Sequence, residues 1–587
     1  MRFLLLLVIF TSLYMGYLGA PGVIDYDEGV YAEVSREMFV KHEAIIPTLN
    51  NEGFFEKPPL LYWGQMLGYG YFGTTAFGAR FVNALAGIAT ILLVFLAGRK
   101  PLGPETAFRA ALILGSSLFC VYLSRIAMTD MPLTFLFTLC LCLSWLGVER
   151  HLQDKQGAPL FWAGCAVAGL AMLTKGAIGA LLPLVTAVLY LLSIGKLPLL
   201  WKRNWFIPGA LLLLVIGFSW YLLLGFHHPG GFTFMKELFI KQHIGRFTTP
   251  LEGHSGPIYF YLVVLLIGFM PWSFFLPLAA IRAPYRDSTS SRVRFLRLFL
   301  LFFLVTFVFF SVAATKLPNY ICPALPGIAM LAATLFDETE KRGKLVWSVS
   351  TYLAALLILA LGIVLLASPL IIAHLPQMLG KSALKAPILS QPVSLGFMPY
   401  LSGLLLIAAG GFLIYANRTK SASTHFASLS GTALAVSAVL FLLVVPVYDS
   451  LINQPLVRLA EQAAAKTPDD GRIVMFEVSS RPSVNFYAHR LTIDCGLSNL
   501  EALRQSFANP KIQVGITTDY YFGKLKEAGV AVEQLTSDHG YILFRLAPDQ
   551  PAPEGPPLSE QSWVQTVPST AVVDKKSSAL YVCSIPL

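Results

Sequence analysis

The chain has 587 residues, of which 55% are hydrophobic and 13% charged, with a formal net charge of +10. A soluble domain carries about 25% charged residues, so a string of soluble domains is excluded. No basic stripe with interleaved aromatics, zinc finger or helix-turn-helix pattern occurs, so nucleic acid does not account for the positive charge. A bilayer span needs roughly 20 mainly apolar residues, and many stretches meet that length. The fold class read from composition is an α-helical polytopic membrane protein.

Residues 1–20 hold one Arg and a short apolar run. A cleaved signal peptide would have this form, but an uncleaved first helix keeps the topology of the later segments consistent. Apolar runs then predict thirteen spans, at 3–20, 81–98, 108–123, 131–148, 159–174, 177–194, 206–225, 257–280, 298–314, 318–336, 345–367, 397–416 and 428–447. With the N-terminus in the cytoplasm, every inside loop is basic, for example Arg99 and Lys100, Lys202 and Arg203, Arg292, Arg294 and Arg297, or Arg418 and Lys420. That is the positive-inside pattern. It predicts an N-terminus in the cytoplasm and a C-terminus outside.

Two outside loops are long, 21–80 and 226–256; a third, 368–396, lacks obvious chemistry. In the first, Tyr31, Val34 and Met38 at helical spacing predict an amphipathic helix along the membrane surface. After residue 448 the character changes. Short strands are expected at 472–478, 512–516 and 540–545, and helices at 500–506 and 522–528, giving a small α/β domain. The expected division is a transmembrane domain over 1–447 with catalytic loops 21–80 and 226–256, a small domain over 448–550 and a Pro-rich flexible tail over 551–587. Five cysteines in or near apolar segments read as core residues. Cys495 and Cys583 lie in the polar region and are able to pair if it is exported.

Ionisable residues gather at the outer face. The first loop carries Asp27-Glu28, an acidic pair just beyond a membrane helix, suited to proton abstraction or cation binding. It also carries Glu56-Lys57 before two prolines, an acid and a base on a stiff extended segment. The second loop holds His227, His228, Lys236, Lys241, His243, Arg246 and His254. Histidine binds metals or exchanges protons near neutral pH, and Arg and Lys fit phosphate. For Lys236 and Lys241 ordinary headgroup-level charge is the better reading, and for His227 and His228 a loop role. Asp130, Lys175 and Lys316 stand at apolar helix ends, where an ionisable group is costly and so a functional candidate. Snorkelling is the competing reading for Lys175 and the favoured one for Arg80 and Arg125. No P-loop, no GxGxxG after a strand and no GxSxG elbow is present.

The order Asp27-Glu28, Tyr31-Ala32-Glu33, Ser35-Arg36-Glu37-Met38, then Phe55-Glu56-Lys57-Pro58 and Tyr62-Trp63, resembles the bacterial lipid A 4-amino-4-deoxy-L-arabinose transferases. These are part of the wider protein O-mannosyltransferase and oligosaccharyltransferase superfamily. The resemblance continues through Asp130, Thr174-Lys175-Gly176, His243-Ile244, Arg246-Phe247, Pro271-Trp272, Ser311-Val312-Ala313 and Lys316-Leu317-Pro318 to Tyr320, over about residues 20–335. It implies a GT-C type fold of thirteen membrane helices with a C-terminal periplasmic domain in the bacterial inner membrane. It implies transfer of a pentose or hexose from a polyprenyl (undecaprenyl) phosphate to lipid A, another glycolipid or a protein. By the same resemblance Asp27 is the general base. Lys57, Arg246 and Tyr320 contact the lipid phosphate, and Glu56 with His243 or His254 binds a divalent cation such as Zn, Mg or Mn. Glu28 and Asp130 join Asp27 as catalytic candidates, and Lys175 and Lys316 join the phosphate set. The family's Asp-Glu-Thr-Arg-Tyr is here Asp27-Glu28-Gly29-Val30-Tyr31, without the arginine. A transporter or flippase is the competing class. It predicts charges near the midplane and repeat-related halves, and neither pattern is visible.

Overall fold

The computed structural model describes residues 1–240, 255–282, 289–342, 348–380, 387–389, 393–418, 422–478 and 481–547. The chain divides into two compact units. The first is Met1–Ala20, Val34–Val364 and Tyr400–Val444; the second is Pro21–Glu33, Leu365–Pro399 and Val445–Leu587. The C-terminal part of the second begins at Val445. Composition did not foresee that residues 21–33 and 365–399 cluster with it.

Among the described residues, nine helices are long and apolar enough to cross a membrane, and two bent pairs bring the number up to eleven. Arg2–Met15 and Ile178–Ser193 are shorter apolar helices. Each apolar run read from the sequence falls on one of these helices or bent pairs. Two runs are broken: Pro104–Ser116 and Leu118–Ser124 meet at 66°, and Phe260–Gly268 and Trp272–Ile281 at 115°. The chain is a multi-pass membrane protein.

Three local differences from the sequence reading have simple causes. Helix Ser348–Leu379 runs past the expected end at 367 and holds Pro369 and Pro376 inside it, which membrane helices tolerate better than soluble ones. Helix Ser291–Val312 starts early, so Arg292, Arg294 and Arg297 lie on its first turns. There Arg292 pairs with Asp337 at 2.8 Å and Arg294 with Glu149. Helix Leu60–Phe72, inside the first long loop, was not foreseen because its apolar run is shorter than a span.

In the first unit, glycines let helices approach closely. A Cβ on Gly68 would lie 2.2 Å from the Gly78 carbonyl oxygen, so helix Leu60–Phe72 packs on Ala76–Gly98 backbone to backbone. Gly68→Val is expected to destabilise the protein by about 1–3 kcal/mol through overpacking, read as a lower melting midpoint in detergent. Thr75 caps the second of these helices by accepting from the Gly78 N–H at 3.1 Å, satisfying an orphan first-turn donor.

The snorkelling expected of Arg80 and Arg125 does not occur. Both are buried. Arg80 donates to the Leu18 carbonyl at 3.0 Å, and Arg125 to those of Leu13 and Gly16 at 2.6 and 2.8 Å. The last carbonyls of a helix lack intrahelical donors and carry partial negative charge. The Arg125 guanidinium therefore finishes helix Arg2–Met15 from inside the protein, and Arg80 holds the turn just beyond it.

The second unit contains a five-stranded sheet. Its strands are β1 (Arg472–Phe476), β2 (Leu491–Cys495), β3 (Gly515–Thr518), β4 (Val532–Asp538) and β5 (Tyr541–Leu546), in the order β2-β1-β3-β5-β4. The first three are parallel and β5 runs antiparallel to both its neighbours. Period-two alternation splits β1 between two cores. Ile473 and Met475 pack with Leu459, Ala463 and Val484 on one face, and Val474 and Phe476 with Leu503, Phe522 and Leu525 on the other. Helices Gln454–Ala465 and Pro482–Ala488 thus cover one face, and Leu500–Ala508 and Asp519–Glu527 the second. Strands β2 and β4 were missed because Leu491–Cys495 and Val532–Asp538 carry polar residues over much of their length. Cys495 is a free thiol, pushed up to about 11 by burial; Cys583 lies outside the described residues.

Candidate functional site

The first unit brings four of the chain's polar side chains to one place. Helix Asp130–Leu152 begins with an acid in its first turn, where the positive end of the helix dipole favours it. The antiparallel neighbour Ala158–Lys175 ends with a lysine, where a cation is favoured for the converse reason. Lys175 Nζ lies 2.6 Å from Asp130 Oδ1, with side-chain exposures of 9% and 1%. The other carboxylate oxygen, Oδ2, accepts from Asn319 Nδ2 at 2.7 Å. The Lys175 ammonium also sits over the Tyr320 ring, 4.4 Å from its centroid. Asn319 and Tyr320 come from the short helix Pro318–Ala324. Sequence reading named Tyr320 and missed Asn319; the signal was a polar residue directly after proline at the head of an apolar helix.

Lys316 enters the same region one turn earlier. It is buried, and its Nζ donates to the Ala313 carbonyl at 2.7 Å. The following residue is held by the Tyr261 hydroxyl, which donates to the Leu317 carbonyl at 3.2 Å. None of the three lysine and aspartate side chains at these helix ends reaches away to water, so snorkelling does not describe Lys175.

Glu56 and Lys57 precede Pro58 and Pro59, which lead into helix Leu60–Phe72. Lys57 is buried, Glu56 half-exposed, and Nζ and Oε2 are 3.9 Å apart. Apolar packing on both sides fixes this loop. Phe55 packs against Met172, Leu173, Trp220, Tyr221 and Leu224, and meets Phe234 and His228 edge-on at 5.0 and 5.4 Å. Met172 and Leu173 lie in the last turn of the helix that bears Lys175, and Phe55, the neighbour of Glu56, packs on the cluster to which they belong. Trp220 Nε1 donates to the Ile45 carbonyl at 2.8 Å and holds the chain upstream. His228 stacks on Phe234 at 3.8 Å, and His227, the last residue of helix Arg203–His227, bonds the Leu223 carbonyl through Nδ1 at 2.9 Å.

Asp27 and Glu28 are in the second unit, on the first turn of helix Asp27–Val40. The expected helix forms, but a solvated surface helix is not what it makes. Glu28, Glu33, Ser35, Arg36 and Glu37 are all buried, while Asp27 is exposed. Each buried polar group requires a partner. Glu28 accepts from the Ile24 N–H at 2.8 Å, and Ser35 donates to Gln65 at 2.5 Å. Glu37 takes Lys41 Nζ and the Thr48 hydroxyl at 2.7 and 2.6 Å.

Upstream, Asp25 is held by the C-terminal part of the same unit. Its Oδ1 accepts from the Ser483 N–H at 3.0 Å and its Oδ2 from the Ser483 hydroxyl. Burial pushes the Asp25 carboxyl above its usual range, against the opposing pull of Arg481 and of Ser483. Neither Asp25 nor Ser483 was singled out from the sequence.

His243, Arg246 and His254 lie outside the described residues. Among the described residues no three His, Cys, Asp or Glu side chains converge as a metal site, and Glu56 is the one expected ligand that is described. The described residues alone do not make a cation site.

The sequence profile of the dolichyl-phosphate-mannose-protein mannosyltransferase family matches residues 1–233. An uncharacterized protein from Aquifex aeolicus is 32% identical over 338 residues, 57% of this chain and 64% of that one. A protein from Edwardsiella ictaluri named undecaprenyl phosphate-alpha-4-amino-4-deoxy-L-arabinose arabinosyl transferase is 32% identical over 344 residues, 58% of this chain and 60% of that one. The matched segments thus span less than two thirds of these relatives' lengths. Among solved structures, ArnT from Cupriavidus metallidurans bound to undecaprenyl phosphate superposes with TM-score 0.74 at 20% identity, over 93% of this chain and 98% of that one. The oligosaccharyltransferase AglB from Archaeoglobus fulgidus gives 0.52 at 13% identity, over 94% and 74%. By fold, the chain is a helical membrane protein similar to these two structures.

Proposed function

We propose that the chain is a membrane glycosyltransferase that moves a sugar from a polyprenyl phosphate to an acceptor hydroxyl at the periplasmic face of a bacterial inner membrane. The observation that carries the reading is the cluster of Lys175, Asn319 and Tyr320 around the buried Asp130 carboxylate, with the buried Lys316 three residues before Asn319 in the chain. A cation held at a membrane helix end by a carboxylate and an aromatic face is costly, and a lipid-borne phosphate is a ligand that repays it. The names of the Edwardsiella relative and of the ArnT structure support undecaprenyl phosphate as the carrier and 4-amino-4-deoxy-L-arabinose as the sugar. The mannosyltransferase profile favours a protein acceptor as the second reading, in place of lipid A or another glycolipid.

In the reaction, Asp27 takes the proton of the acceptor hydroxyl as that oxygen attacks the anomeric carbon. The bond from the anomeric carbon to the phosphate oxygen breaks, and its electron pair leaves with the polyprenyl phosphate. Negative charge grows on that oxygen, and Lys57, Lys175, Lys316 and Arg246 are the cations assigned to it. One displacement by one base inverts the anomeric centre. Asp130, with both carboxylate oxygens engaged, positions Lys175 and Asn319 and takes no proton. A divalent cation on Glu56 with His243 or His254 stays in the proposal on the strength of the resemblance, and would neutralise phosphate charge.

The test is a transfer assay on protein in detergent, with undecaprenyl-phosphate aminoarabinose or a polyprenyl-phosphate hexose as donor and lipid A or peptides as acceptors. Transfer without any membrane gradient is expected; a donor that is only moved across vesicles would overturn the reading in favour of a flippase. Lys57→Met is expected to weaken undecaprenyl phosphate binding about 10- to 100-fold, the worth of a charge-assisted hydrogen bond, as measured by titration calorimetry.

A further inference from the structure

The second unit's strand order places β1 between its two parallel neighbours. The chain leaves β1 for β2 on one side and returns to β3 on the other, with helices on both faces. This is the topological switch of a doubly wound sheet, and ligands of such domains bind at the carboxyl ends of the strands there, often as anions on the first strand-to-helix turn. Here the helix that follows β1 is Pro482–Ala488. The anion on it is a carboxylate of the chain itself, Asp25, bonded by the Ser483 N–H and hydroxyl and beside Arg481.

The neighbouring residues are gripped as well. The Gly22 N–H donates to Asp449 Oδ1 at 2.8 Å, and the Val23 N–H to the Tyr487 hydroxyl at 2.8 Å. Asp449 is buried and is itself held by Asn453 and Gln454 at 3.1 and 2.8 Å. Gly29 faces the same contact. A Cβ there would lie 2.6 Å from Asp25 Oδ1 and 3.1 Å from the Ser483 nitrogen, so the glycine that replaces the family's threonine is what lets the carboxylate reach its site.

We propose that residues 445–546 are a docking module for the loop that carries the acidic pair, with Asp25 as an internal ligand in the crevice where a doubly wound domain takes an anion. Asp25, Gly29, Asp449, Ser483 and Tyr487 are then positioning residues that set the entry of helix Asp27–Val40 and so the place of Asp27. The catalytic half of this statement rests on Asp27 being the base; the docking half does not.

The experiment uses the full chain in detergent, with hydrogen–deuterium exchange over residues 21–33 and kinetics with undecaprenyl-phosphate aminoarabinose and lipid A. The variants are Asp25→Ala, Ser483→Ala, Ser483→Thr and Gly29→Ala. Gly29→Ala improves intrinsic helix propensity, so its loosening of the segment would not reflect a weakened helix. Asp25→Ala and Gly29→Ala are expected to speed exchange over 22–29 by about tenfold or more, the effect of losing the bonds that close the segment. Their kcat is expected to fall about 10- to 100-fold, as for a displaced catalytic group, with the donor KM unchanged. Ser483→Ala should act in the same direction and Ser483→Thr should restore both readouts. Exchange at the native rate in Asp25→Ala and Gly29→Ala would overturn the docking module. Faster exchange with native kcat, or with a parallel rise in donor KM, would overturn the positioning role. Inactive wild-type protein would sink the transferase reading, and the exchange rates would still decide the docking.

Discussion

Asp27→Asn is expected to lower sugar transfer by about 10²- to 10⁴-fold, the usual worth of a positioned general base, while undecaprenyl phosphate still binds. The amide keeps the size of the side chain and its place on the first helical turn, and removes only the ability to accept the acceptor's proton. Asp27 is exposed and the amide is isosteric, so the change should leave the stability within about 0.5 kcal/mol of native. Glu28 is the contrast. It is buried and accepts from the Ile24 N–H, so Glu28→Gln should act through the geometry of the turn and cost stability as well as rate. Single-turnover transfer, donor titration and melting on both variants check the assignment. Near-native transfer by Asp27→Asn would remove it as the base.

The second large effect is expected at Asp130. Removing one member of a buried ion pair leaves the other charge uncompensated and costs about 3–5 kcal/mol. Lys175 and Asp130 are buried, 2.6 Å apart, and Asp130 also holds Asn319, so Asp130→Ala strips two donors of their acceptor at once. Its melting midpoint should fall accordingly, and transfer with it. The double variant Asp130→Leu with Lys175→Met separates the two effects. Apolar replacement of a whole buried pair is often neutral for stability, so much of the midpoint should return. Transfer should not, because one of the cations assigned to the leaving phosphate is absent. Recovery of both would make the pair a purely structural bridge between helices Asp130–Leu152 and Ala158–Lys175.

The candidate residues were legible to very different degrees. Asp130, Lys175 and Lys316 stood out because an ionisable side chain at the end of an apolar run is costly to keep there. Their partners did not: Asn319 is an ordinary polar residue, and its value comes from lying 2.7 Å from a carboxylate 189 positions earlier in the chain. Arg80 and Arg125 were misjudged for the same reason. From the sequence they are long basic side chains near helix ends, whereas in the fold Arg125 meets the bare carbonyls that end helix Arg2–Met15 and Arg80 the Leu18 carbonyl just after it, which no spacing rule links to them. The helix at 27–40 was visible in the period of Tyr31, Val34 and Met38. That its polar face is also buried was not, because the burial of Glu33 and Glu37 is set by what packs over the helix, which its own spacing does not show.

Chain order by itself determined that this is a multi-pass membrane protein, where its apolar helices lie and which motif residues are worth testing. Those properties follow from local quantities: twenty-residue hydrophobicity, loop charge and short residue strings. Only the tertiary structure decided that Asp130 is occupied on both oxygens, that Phe55 packs on the cluster that holds Met172 and Trp220, and that Asp25 is bonded by Ser483. Each of these is a contact between segments far apart in sequence. The pairing of a buried charge or donor is set by which helices and strands become neighbours, which no single segment encodes.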